Sequence, residues 1–96
     1  MNYNVNEIIS RLKFKINMKK PNLIRRVDFN LLSVNENTIN IIADAKIKYS
    51  EDLFPRNLSS DYVAEKFKES SKKVAKDLEQ EYPGINIFLT CYLSEI

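Results

Sequence analysis

Residues 38–50 read TINIIADAKIKYS. Side chains along a strand point alternately to opposite faces. Ile39, Ile41, Ala43, Ala45, Ile47 and Tyr49 form one face of this run, and Asn40, Ile42, Asp44, Lys46 and Lys48 the other. The stretch before it, LIRRVDFNLLSV at 23–34, repeats the pattern, with Val27, Phe29 and Leu31 opposing Arg26, Asp28 and Asn30. Between them, Asn35, Glu36 and Asn37 supply turn chemistry. Two amphipathic runs around a short polar turn predict an antiparallel hairpin.

Downstream, Val63, Phe67, Val74, Leu78 and Tyr82 fall on one helical stripe, helped by Ala64, Ser71 and Ala75. Ser59 or Ser60 suits the N-cap and Asp61 the positive helix end. Pro83 and Gly84 terminate the helix. SEDLFPRNL, residues 50–58, reads as a loop broken by Pro55. INIFLTCYL, residues 85–93, follows the helix and is apolar on both faces. Ile85, Ile87, Leu89, Cys91 and Leu93 make one set, while Phe88 and Tyr92 dominate the other. Such a strand belongs in a sheet covered on both sides.

The amino-terminal segment carries two patterns. Val5, Ile8, Ile9, Leu12 and Ile16 fit a helix, with Asn4 and Glu7 spaced as a capping box. RLKFKINMK, residues 11–19, alternates as a strand would. The compromise is a short helix near 4–12 running into extended chain, ended by Pro21. The expected fold is therefore a single α+β domain over 1–96, in the order α(or β)-β-β-α-β. The hairpin and C-terminal strand share one sheet, and the long helix lies on one face.

That helix should cover Val27, Phe29, Leu31, Ile39, Ile41, Ala43, Ile85, Ile87 and Leu89. The second face then presents Phe88 and Tyr92 with Leu32, Val34 and Ile42 from the hairpin. Its cover would be the amino-terminal segment, through Val5, Ile8, Ile9 and Leu12, or a second copy, or another partner.

Composition narrows function by exclusion. The chain has no histidine, one cysteine and one glycine. Histidine-dependent nucleophile pairs, thiolate zinc sites and glycine-rich phosphate loops are therefore absent from the expectation. Cys91, in the wholly apolar set, reads as a buried small hydrophobe. Glu51 with Asp52, and Glu79 with Glu81, are adjacent acids of a kind usually left in solvent. Asp61, Glu65 and Glu69, with Lys68 and Lys72 nearby, suit exposed helical ion pairs. No residue is nominated as catalytic, cofactor-binding or metal-ligating, and no small-molecule cofactor is expected. The opening MNYNVNEII lacks a charged region followed by an apolar run, and no apolar stretch is long enough to span a bilayer. A cytoplasmic, non-membrane protein is expected.

Net charge is only +2. Yet Arg11, Lys13, Lys15, Lys19, Lys20, Arg25 and Arg26 crowd one acid-free span. These readings point to a non-catalytic interaction or assembly domain, self-associating through a sheet face or strand edge or joining a protein complex. The alternative is a small nucleic-acid-binding protein using Lys13, Lys15, Lys19, Lys20, Arg25 and Arg26 to meet phosphates.

Overall fold

The computed structural model describes residues 3–96. The order is helix α1 (Val5–Lys19), strand β1 (Arg26–Asn35), strand β2 (Thr38–Ile47), helix α2 (Ser60–Glu81) and strand β3 (Asn86–Glu95). This is the expected α+β order. The sheet runs β1-β2-β3, with β2 central. The β1–β2 pair is the expected antiparallel hairpin. Strand β3 lies parallel to β2, opposing Ile39 with Ile87 and Ile41 with Leu89. A parallel neighbour needs a long crossover, which α2 provides.

Helix α2 starts at Ser59, whose hydroxyl accepts the Tyr62 N–H at 3.1 Å. Its stripe of Val63, Phe67, Ser71, Val74, Ala75 and Leu78 is buried. Gly84 takes a φ of 94°, a left-handed value cheap only for glycine, as the chain reverses into β3.

Helix α1 does not give way to extended chain after residue 12. It continues to Lys19, capped by the Asn4 side chain on the Glu7 N–H. Ile8, Leu12 and Ile16 are buried at helical spacing. Phe14 and Met18, their companions in the alternating pattern, are 65% and 68% exposed. Residues four apart share a face in both geometries, so Leu12 and Ile16 satisfy either pattern. Burial with Ile8 and Ile9 decides for the helix.

Residues 49–58 are also more regular than a loop. A π-turn at Tyr49–Leu53 leads into a 3-10 turn at Phe54–Arg56, closed by Asn57 in the left-handed region. Asp52 accepts the Lys48 N–H at 2.8 Å and thereby closes the first turn.

Both helices pack on the same side of the sheet. Ile8, Ile9, Leu12 and Ile16 of α1 join Val63, Phe67, Val74 and Leu78 of α2 in one core over Ile39, Ile41, Ala43, Ala45, Ile87 and Leu89. Arg11 of α1 bridges to Glu81 at 2.6 Å and to the Tyr82 hydroxyl at 2.8 Å. The amino-terminal segment therefore does not cover the second sheet face. The molecule is a two-layer structure whose outer sheet face is open.

Candidate interaction surface

Directly opposed residues share a face, so the strand registers lay out the outer surface row by row. Arg26, Lys46 and Ser94 form one row, followed by Asp28, Asp44 and Tyr92. Asn30, Ile42 and Thr90 come next, then Ser33, Asn40 and Phe88. Phe88 is 61% exposed and Tyr92 55%. Four residues of strand separate them by about 13 Å. Ile42 lies half-buried between them on the central strand.

The charged end of this surface is internally compensated. Arg26 pairs with Asp28 at 3.2 Å and Lys46 with Asp44 at 3.0 Å. Lys46 also donates to the Ser94 hydroxyl at 2.8 Å, which donates in turn to Asp44 at 2.8 Å. The rows at the Phe88 end, Asn30 with Ile42 and Thr90 and then Ser33 with Asn40 and Phe88, carry no charge. The surface is thus mixed and without net charge, with two rings as its largest apolar elements.

A bulge corrects the expected membership of this surface. Leu31 opposes Ile41, but Ser33 opposes Asn40 and Val34 opposes Ile39. Leu32 is the extra residue. A one-residue slip exchanges faces, so Val34 moves to the helix side with Ile39 and leaves the outer set. Leu31 stays on the helix side yet remains exposed, as do Leu32 and Val34, because the helices do not reach this end of the edge strand.

Most of the basic residues are engaged within the molecule. Arg25 makes two hydrogen bonds to Asp52, at 3.0 and 2.9 Å, and one to Glu51 at 2.8 Å. This clamp holds the Asp52 carboxyl below its usual range, first through the Arg25 hydrogen bonds and then through the Lys48 N–H. The adjacent acids expected to stand in solvent are therefore an anchor for the turn after β2. Arg26 is engaged by Asp28. Lys20 donates to the Ile24 carbonyl at 3.1 Å, and Lys13 lies 5.9 Å over the Phe29 ring. Lys19 is exposed, while Lys15 is half-buried and acts on the Glu81 carboxyl. Arg11 holds the Glu81 carboxyl below its usual range by hydrogen bonding.

Cys91 is half-buried rather than fully buried, because β3 is an edge strand. Burial pushes its thiol up, with Lys72 acting in the opposite direction. An inert thiol follows. Ser71, on α2 nearby, is fully buried, and its hydroxyl falls short of hydrogen-bond geometry with any partner. Lys72 turns down to the Leu89 carbonyl, while Lys66 and Glu69 stand 3.9 Å apart on the solvent side. Among the described residues, no group of three or more histidine, cysteine, aspartate or glutamate side chains is arranged to hold a metal ion, and no helix is long and apolar enough to cross a membrane.

No protein-family model matches this sequence, and no curated protein does. Among solved structures, a similar chain is Era, in its crystal structure with MgGDPNP and nucleotides 1506-1542 of 16S ribosomal RNA. The likeness covers 93% of this chain at 16% identity, with a TM-score of 0.49. It spans 30% of the Era chain. At that level it assigns no function here.

One feature was not anticipated from sequence. Tyr49, Ser50, Leu53, Phe54, Leu58 and Ser60 line an open apolar recess of about 560 Å³. Its only sequence signal was Phe54 beside Pro55, since the recess arises from the two tight turns.

Proposed function

We propose that this chain is a non-catalytic assembly domain that self-associates, with the outer sheet face as its contact surface. One observation carries this reading. Both helices sit on one side of the sheet, and Phe88 and Tyr92 stand more than half exposed on the other. Large aromatic rings on a surface without net charge are common anchors of protein contacts. A second copy meets no net charge on this surface.

The dimensions set the strength. Three ten-residue strands present roughly 14 by 33 Å, or about 470 Å². A standard interface buries about 800 Å² on each partner. Association through this face alone is therefore weak.

Light scattering over a wide concentration range tests the reading. Particle mass should rise with concentration, and Phe88→Ser should reduce that rise while leaving the circular dichroism spectrum unchanged. A mass that ignores concentration, or the same rise in the variant, refutes it.

A further inference from the structure

The free edge of β3 is closed along one half and open along the other. Asn86 and Ile96 direct their N–H groups to the β2 side, at 2.7 Å from Asn37 O and 2.9 Å from Ile47 O. Strand alternation turns the backbone groups of Ile87, Leu89, Cys91, Leu93 and Glu95 the other way. Helix α2 occupies two of these groups. Glu79 accepts the Ile87 N–H at 2.8 Å, and Lys72 donates to the Leu89 carbonyl. Among the described residues no such bond reaches Cys91, Leu93 or Glu95.

We propose that a second copy of this chain pairs with that open half, antiparallel across a two-fold axis at Leu93, so that two three-stranded sheets become one of six. In this register Leu93 opposes its own copy, and Cys91 opposes the partner's Glu95. The occupant follows from charge. The contacts of Glu79 with Ile87 and of Lys72 with Leu89 show that α2 runs opposite to β3. Lys68 lies one turn before Lys72, about 6 Å along the helix. Cys91 lies two residues beyond Leu89, about 7 Å along the strand. Lys68 therefore stands beside Cys91. Opposed residues share a face, so the partner's Glu95 arrives on the helix side next to Lys68. Symmetry supplies the same pair again. Glu65, nearly one turn earlier, stands beside Leu93 and faces its own copy at the axis. That repulsion opposes pairing and is flanked by the two lysines.

The edge pairing does not require the outer face to bind anything. It does change what that face can do. Two outer faces lie side by side and their area doubles to about 940 Å², within the standard range. Tyr92 of each copy comes within about 7–8 Å of the other, as diagonal neighbours do.

Sedimentation equilibrium at low salt tests this on the full chain, with Lys68→Glu, Glu95→Lys, the double reversal, Glu65→Gln and Phe88→Ser. The wild type should form a dimer. Each single reversal should weaken it about tenfold, and the double reversal should restore it to within about threefold. Glu65→Gln should tighten it. The dimer should survive Phe88→Ser even where larger particles disappear, so failure of the edge and failure of the face are read separately. A wild-type monomer at all concentrations, single reversals without effect, or no rescue in the folded double variant would each overturn the proposal.

Discussion

The Ser71 hydroxyl is fully buried, and its nearest polar neighbour is the Cys91 thiol, which it meets outside good hydrogen-bond geometry. Ser71→Ala should therefore stabilise the protein. Leaving a buried hydroxyl unsatisfied costs about 1–3 kcal/mol. Residue 71 is interior to α2, where alanine is favoured over serine by about 0.5 kcal/mol. Against these gains stands the space of one oxygen, on the order of 10 Å³, worth about 0.2 kcal/mol. The contact with the Cys91 thiol, which Ser71 helps hold down against burial, subtracts little more. The net expectation is a gain of about 1–3 kcal/mol. Urea unfolding followed by circular dichroism should show a midpoint raised by at least roughly 0.3 M at unchanged slope, the gain divided by a slope of about 1–3 kcal/mol/M. The melting temperature should rise by at least about 4 °C. A neutral or destabilised Ser71→Ala protein would refute the reasoning, because it would mean that the hydroxyl holds a bond worth as much as its burial costs.

The Arg25–Asp52 clamp gives a pH prediction. Asp52 has its carboxyl lowered in the folded state, so its contribution is complete above the unfolded value near pH ~4 and is lost as pH falls through the folded value. Asp52→Asn should be less stable than wild type at neutral pH, and the difference should shrink as acid is added below about pH 4. A constant difference across that range would exclude the clamp as its source. At the β3 edge, Glu79→Ala removes a charge-assisted acceptor from Ile87 and should cost about 1–2 kcal/mol. Amide exchange at Ile87 should accelerate while exchange at Leu78 changes only with global stability. Unaltered protection at Ile87 would show that Glu79 does not hold that edge.

Local chemistry and periodicity determined the hairpin, the long helix with its Ser59 cap and glycine-assisted stop, and the element order. Each depends on neighbours within a few residues, and those are written in the chain. The same is true of the outward set of β3, where Phe88 and Tyr92 alternate with the core residues Ile87 and Leu89. Residues 11–19 were ambiguous for a definite reason. Leu12 and Ile16 share a face at both periods, and only burial against Ile8 and the sheet left Phe14 and Met18 outside.

Tertiary structure alone decided the rest. A helical apolar stripe requires cover but does not say which sheet face supplies it, and α1 joined α2 instead of closing the outer face. A bulge is one residue of register, invisible to alternation, yet it moved Val34 to the opposite side. The fate of Arg25 depended on acids brought near by folding, 26 and 27 positions away. Pattern within a segment follows from short-range sterics and hydrophobicity. Which segments meet follows from burying all their apolar stripes at once, and that is a property of the whole chain.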